Sequence, residues 1–461
     1  MVKPGGRFEL YSAATRALRA FLSCIIWVVG TVSIGHAESL DDALVSAYVS
    51  NPTLLAAQAG LRHTDELVPQ ALAGWRPQAG ASIGGGYADS NSAATSIGGT
   101  NSTHNLSTSQ GPTAVATLTV RQQIYKFGLS DTVSQAKNTV RANRAQVASE
   151  EQDTLLRAAT AYVDTLKAQY DLRFSVDHQQ LLKSELETTQ RRLNLGEVRN
   201  SDVAQSEASY AAATAQRTQA EGLLAVSRET YRAVVGHEPG NLAIPDLPKG
   251  LPATEEQVLA AAESNPAVSA ADYAERAARD GVEAAYGEKL PDFYLQASAE
   301  PTGGHVLALM SVPIYTGVLD SKVRSAKELV EQRRLDADAQ RLQARQSAMS
   351  AWQQLQTARA NVNSFEAQVH AAELAAASVA REQNAGLRTV YDVLVARQQV
   401  LDSQLSLTGA RRDAVVAAYQ TLAAIGRLSA RDLGLDVPYY DDKSHYRSVK
   451  DKWWGTGPDM K

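Results

Sequence analysis

Apolar and small residues recur at steps of three and four along two long stretches of the chain. From about 129 to 194 they include Val133, Ala136 and Val140, then Ala159, Tyr162, Leu166 and Tyr170, with no proline or glycine between them. That step is the helical period. At 1.5 Å per residue, such a helix is on the order of 100 Å long. A second stretch, over about 319–384, predicts a helix of the same length. Helices about half as long are predicted at about 201–236 and 390–426. Helices of this length exceed the globular norm and need partners along their whole course. Alanine-rich seams with Gln, Arg and Glu on the other face predict a bundle of antiparallel helices.

Four shorter segments read as strands instead. In "TAVATLTVRQQIY", Ala114, Ala116, Leu118 and Val120 lie on one face, and Thr117, Thr119 and Arg121 on the other. In "DFYLQASAE", Phe293, Leu295 and Ala297 oppose Tyr294, Gln296 and Ser298. The segment "HVLALMSVPIY" is apolar on both faces. These patterns predict strand pairs at about 79–90 with 113–125 and at about 293–300 with 305–315. Each strand is about ten residues, close to the ~9–11 that cross a bilayer at a tilt. A soluble pair of hairpins is the other reading of the same alternation.

The two sets of elements are two copies of one unit. "SNPTLLAAQ" at Ser50 matches "SNPAVSAAD" at Ser264, with Pro52 and Pro77 each repeated 214 residues on, as Pro266 and Pro291. "QIYKFGLSDTVSQAK" matches "PIYTGVLDSKVRSAK", with Tyr125 and Lys137 repeated 190 residues on, as Tyr315 and Lys327. Gly236 and Gly426 close the last helix of each copy, again 190 apart. The offset drops once, between the strands. There the first copy carries "GGGYADSNSAATSIGGTNSTHNLSTSQGPT", and the second only "EPTGGH". The longer segment is too poor in apolar residues to pack and predicts a surface loop. The organisation expected is a signal at 1–37, repeat 1 at 38–245, repeat 2 at 246–435 and a tail at 436–461 with no clear element.

"NLGEVRNSDVA" and "NAGLRTVYDVL" share a frame: Asn194, Gly196, Asp202 and Val203 recur as Asn384, Gly386, Asp392 and Val393. Gly196 and Gly386 fall where the long helices end and suit a left-handed cap. Ser201 and Thr389 come before the next helix and can cap its N-terminus. Asp202 and Asp392 then meet the positive end of the helix dipole. The frame is first of all a helical hairpin turn, at the end of the bundle farthest from the strands.

Composition narrows the function. Arg16 and Arg19, the apolar "AFLSCIIWVVGTVSIG" and "GHA" ending at Ala37 form an export signal with a cleavage site. A membrane anchor would need a longer run to span a ~30 Å core. Cys24, the single cysteine, lies within that signal, so the mature chain has no disulfide, cysteine metal site or cysteine nucleophile. A net charge of −5 gives no support for binding nucleic acid. "SQAK" at Ser134–Lys137 fits S-x-x-K without its companion motifs and lies inside a long helix. "HTDE" at His63–Glu66 reads as a solvated helix face rather than a metal site. Gly84–Gly86 lack the Lys-Ser/Thr of a phosphate loop. No catalytic constellation, cofactor site or metal site is expected.

The order of these elements resembles the TolC family of outer-membrane channels. Short helices broken at "SNP", a helix ending at "RPQ" or "LPD", a hairpin, "QIYKFGLSD" or "PIYTGVLDS", a long helix, a glycine turn and a shorter helix occur twice, from Leu40 to about Leu435. The resemblance implies an α+β membrane protein of the Gram-negative outer membrane. A long antiparallel α-helical barrel would form a periplasmic tunnel, and a transmembrane β-barrel would be completed by trimerisation. Four strands from one chain leave open edges, which lipid does not tolerate. The resemblance further implies outer-membrane lipid around the barrel, and a periplasmic adaptor and an inner-membrane transporter as partners, in tripartite efflux or type I secretion. The segment between the first two strands would be an extracellular loop. At the periplasmic end the family narrows to rings of aspartate, held shut by polar links. Asp392 matches one ring, Arg388 the linking arginine, and Ser201 and Asp202 its partner region. Val395 stands where a second aspartate would be, and Gln383 where a linking tyrosine would be. The chain is thus expected to carry one ring and a looser latch. The rival from another class is a soluble periplasmic coiled-coil adaptor or scaffold, which accounts poorly for the paired strands. A periplasmic enzyme comes third and lacks a catalytic cluster.

Overall fold

The computed structural model describes residues 37–92, 107–301, 303–314, 317–453 and 455. The expected export signal up to His36, Cys24 within it, Tyr315 and the centre of the first interstrand segment lie outside these residues. The short helices α1 (Leu40–Ser50), α2 (Pro52–Asp65) and α3 (Leu67–Leu72) lead into strands β1 (Gln78–Ser92) and β2 (Ser107–Lys126). The 66-residue α4 (Leu129–Asn194) follows, then α5 (Asn200–Val235). The second copy gives α6 (Glu255–Ala262), α7 (Pro266–Gly287), β3 (Asp292–Glu300), β4 (Gly303–Ser311), the 68-residue α8 (Gly317–Asn384) and α9 (Val390–Ala424). At 1.5 Å per residue, α4 and α8 are each about 100 Å long.

The repeated "SNP" has a structural reason. Asn51 caps α2 by accepting from the Thr53 amide at 3.0 Å, with Pro52 in the first turn where its missing N–H costs nothing. Its amide nitrogen donates to the Val234 carbonyl at the end of α5, 3.1 Å away. Asn265 does the same in the second copy. It accepts from Ala267 at 2.9 Å and donates to Ala424 at 3.0 Å. One asparagine per repeat thus starts one helix and satisfies the orphan carbonyls of another.

Those junctions frame the main core. Leu44, Tyr162, Tyr231, Leu355, Leu422 and Ile425 are fully buried there. Glu38, the first residue after the expected cleavage site, docks beside the core. It exchanges backbone hydrogen bonds with the 241–243 segment, and its carboxylate accepts from the Tyr231 hydroxyl. Burial pushes the Tyr162 hydroxyl up to about 12. A phenol that stays protonated remains a donor, and the Glu38 and Ala243 carbonyls each lie 2.7 Å from it.

The four strands form one antiparallel sheet in the order β1-β2-β3-β4. The interstrand segment that reads from composition as a loop is partly sheet. β1 continues to Ser92 and β2 begins at Ser107, paired residue for residue from Ser92–Ser107 down to Gln78–Arg121. Its Gly, Ser and Thr residues lack the apolar face that marks a strand, but the ladder needs only their backbones. β1 and β2 therefore run 15 and 20 residues, against nine each for β3 and β4.

The sheet joins the bundle through a glycine contact. Gly128 has a φ of +77°, which lets the chain turn from β2 into α4. It packs on Gly287 at the end of α7, where an added Cβ would lie 2.4 Å from the Gly128 Cα. Both neighbours are backbone and cannot swing away. Gly287→Ala is expected to cost about 1–3 kcal/mol in thermal or denaturant unfolding, as overpacking does. Gly60→Ala, inside a helix and open to solvent, serves as the control and is expected to stabilise by up to about 1 kcal/mol.

Candidate functional site

Two regions are candidates for the functional site: the faces of the sheet and the tips of the helical hairpins. The strand register sorts most side chains onto two faces, with Gln122 opposite Leu295 as an exception at the foot. Ala79, Ala81 and Ile83 pair with Val120, Leu118 and Ala116. Val120 and Leu118 pair in turn with Ala297 and Ala299, and Leu295 and Ala297 with Ala308 and Val306. Directly paired residues share a face, so one face is apolar across all four strands. Ile83 and Val306 on it are 88% and 71% exposed, which suits hydrocarbon and not water. The opposite face carries Ser82, Thr117, Thr119, Arg121, Gln296, Ser298 and His305, but in β4 it also carries Leu307 and Leu309, so β4 is apolar on both faces. Arg121 lies 3.7 Å above the Tyr294 ring and 3.4 Å from Asp292. A bulge between Gln123 and Tyr125 then turns Tyr125 to pair with Phe293 at the foot of the sheet.

At the other end each hairpin turns through a left-handed glycine, Gly196 at φ +76° and Gly386 at φ +77°. The Glu197 amide reaches back to the Arg192 carbonyl at 2.9 Å, and the Leu387 amide to the Glu382 carbonyl at 2.9 Å. These are Schellman-type caps, which glycine makes without strain. Thr389 caps α9. Its backbone and hydroxyl donate to the Asp392 carboxylate at 2.9 and 2.8 Å, while its hydroxyl accepts from the Asp392 amide at 3.2 Å. These bonds, the backbone one first, hold the Asp392 carboxyl below the usual carboxylate range.

The first copy departs from this pattern. Ser201, expected as a cap, lies inside the first turn of α5 and is exposed. The position 190 residues before Thr389 is Arg199, and it is the Arg199 amide that donates to Asp202 at 2.9 Å. The repeat frame fixes the carboxylate but not the hydroxyl. Arg388 pairs with Glu382 of its own hairpin at 3.0 Å. Arg192 pairs with Glu197 at 3.2 Å in the other hairpin, with the two signs exchanged across the turn. Within one chain, then, Arg388 is not brought to Ser201 or Asp202. Gln383 is buried.

Contacts illegible in the sequence join the two copies. Leu182 of α4, Ala213 of α5, and Val390 and Leu394 of α9 form a buried apolar cluster near the tips. Higher up, Arg412 of α9 grips Asp164 of α4 with two nitrogens, at 2.6 and 3.4 Å. The Thr408 hydroxyl donates to Asp171 at 2.8 Å. No motif marks these pairs, because they are ordinary polar residues on helices about 240 positions apart. The face expected to be solvated at "HTDE" also differs. Asp65 is fully buried under the tail, because His445 and Arg144 supply partners for its carboxylate.

A sheet with one face apolar across its four strands and a largely polar other face, carried on hairpins about 100 Å long, defines an outer-membrane channel with a periplasmic helical tunnel. The chain belongs to the outer membrane efflux protein family, whose model matches residues 43–237 and 258–427. The Outer membrane efflux protein BepC of Brucella suis biovar 1 is similar at 33% identity over 95% of this chain and 97% of that one. Outer membrane protein TolC of Vibrio cholerae is 26% identical over 68% of this chain and 77% of its own. The Campylobacter jejuni CmeC outer membrane channel shares the fold, with a TM-score of 0.75 at 15% identity and 89% coverage of each chain. The protein is an outer-membrane efflux channel, and a soluble scaffold is not what these matches support.

Asp392→Asn removes a charged acceptor from the α9 cap. Amide exchange at Val390–Leu394 is expected to quicken, while the Leu182–Ala213 neighbourhood stays protected. Acidification should likewise lower the protection there in the unaltered protein, once the slower intrinsic exchange at low pH is divided out. The carboxyl's value is depressed on folding, so its contribution is present above the unfolded value and is lost as pH falls through the folded one. Hydrogen exchange read by mass spectrometry checks both.

Proposed function

We propose that three copies of this chain close one twelve-stranded barrel in the outer membrane and one tunnel below it, forming a passive exit duct for tripartite efflux. The carrying observation is the four-stranded sheet, apolar on one face, with β1 and β4 left as its edges. In hydrocarbon those edges need partners, and copies of the same chain supply them. Energy comes from an inner-membrane transporter, coupled through a periplasmic adaptor. The adaptor docks on the hairpin tips, where Leu195 and Leu387 are 74% and 77% exposed. Type I protein secretion would use the same duct with a different inner-membrane partner.

In this reading the tips are the gate. Three Asp392 carboxylates around the axis favour cations and attract a blocking one. With Val395 one turn above, half exposed and uncharged, the ring is single. Arg388 leaves Glu382 to reach Ser201 or Asp202 of an adjacent hairpin when the tunnel is shut. Gln383 offers that latch one amide where a tyrosine would offer a ring. The latch is therefore weak, and the apolar cluster around Leu394 carries more of the closure.

Planar-bilayer conductance, with the subunits counted by crosslinking, tests the assembly: a trimer with discrete channels is expected, and a water-soluble monomer without conductance would refute it. Asp392→Ala should abolish most of the cation selectivity. In the unaltered channel, selectivity should persist as pH falls until it passes below the usual carboxylate range. Selectivity unchanged in Asp392→Ala would remove Asp392 from the constriction.

A further inference from the structure

The C-terminal tail leaves the core at Leu435 and does not trail away. It runs along α2 and α4 towards the foot of the sheet. The Tyr440 amide donates to the Tyr48 hydroxyl at 3.1 Å. A short helix, α10 (Ser444–Val449), then sets His445 and Tyr446 over a buried site. The His445 Nδ1 lies 3.2 Å from the Asp65 carboxylate and its Nε2 3.8 Å from Glu66. Arg144 of α4 stands 3.8 Å from Asp65 and from Asp442, with the Tyr446 ring 5.0 Å from its guanidinium. Burial pushes the Asp65 carboxyl up, and His445 and Arg144 pull against it. A buried carboxylate without partners costs several kcal/mol, so this cluster fixes the course of the tail.

The course ends at the membrane boundary. Arg76 donates to the Lys452 carbonyl at 2.7 Å, and its guanidinium lies 4.8 Å from the Trp453 ring. Arg76 is two residues from the start of β1. It sits at the level where Tyr125 pairs with Phe293 at the foot of the sheet, both of them partly exposed. Trp453 itself is 59% exposed, and Lys450 lies just before it on the tail. Exposed tryptophan and tyrosine with basic neighbours at the end of a spanning sheet match the chemistry of a headgroup layer.

We propose that the tail is a strap that delivers Trp453 into the phospholipid headgroup layer on the periplasmic side, anchoring the foot of the barrel to anionic lipid. The Asp65–His445–Arg144 clasp is its buckle, and Arg76 its upper guide. The proposal rests on the outer-membrane location of the sheet.

The test uses the full-length channel with Cys24→Ser and Trp453→Cys, labelled with an environment-sensitive fluorophore. It is reconstituted in phosphatidylethanolamine–phosphatidylglycerol vesicles. Quenching by lipid spin-labelled near the headgroup should exceed quenching by lipid labelled deep in the chain by threefold or more, with little quenching by aqueous iodide. Ile83→Cys, on the apolar face, should show the opposite depth preference. Iodide quenching alone at 453, or none by any quencher because protein covers the site, overturns the strap while Ile83 stays lipid-quenched. Loss of lipid quenching at both positions would instead bring down the location on which the strap depends. His445→Ala, made in the Trp453→Cys channel, should at least halve the lipid quenching at 453. Full retention there, and again with Asp65→Asn, overturns the clasp.

Discussion

An unpaired backbone amide or carbonyl in hydrocarbon costs several kcal/mol, and this constraint governs the rest of the molecule. β1 and β4 are the edges of a four-stranded sheet whose outer face is fit only for lipid. A chain built this way is incomplete in its own membrane. The duplication answers part of the need by giving each chain two hairpins side by side. The glycine contact at Gly128 and Gly287 then ties the sheet to the bundle at a point where no side chain could fit. Whatever closes the sheet must bring the helices together beneath it in the same symmetry.

Much of the fold was legible because it is periodic. Val133, Val140, Leu155 and Tyr162 keep the helical step and are buried. The two faces of the sheet follow from alternation in Leu118–Val120 and Leu295–Ala297. The duplicated frame also located both glycine turns. The missing information was of another kind. The upper part of the first hairpin is held by backbone pairing, and residues such as Ser109 and Ser90 give no facial pattern to read. Asp65 looked like a surface residue because the group that buries it lies 380 positions away.

The tips show the same limit. Asp392 was placed at a helix start by its frame, and it sits there with Thr389. Ser201 is not the cap because it lies two positions after Arg199, the residue that the 190-residue offset aligns with Thr389. The ties from Arg412 to Asp164 and from Thr408 to Asp171 sit about 30 Å above the tips, counting 1.5 Å per residue from Asp392. Below them the second hairpin meets the first through an apolar cluster. A His178–Gln398 hydrogen bond also joins α4 to α9 in that lower segment. The two hairpins are thus tied by directional polar contacts as well as by non-directional apolar ones.

The two hairpins of the sheet are unequal in height. β3 and β4 turn back at the level of Leu118, whereas β1 and β2 stay paired as far as Ser92 and Ser107. Past that level the first hairpin continues without this neighbour, as a two-stranded arm. The two halves of one duplicated unit therefore face different surroundings at this end of the molecule, the first with backbone pairing that the second lacks.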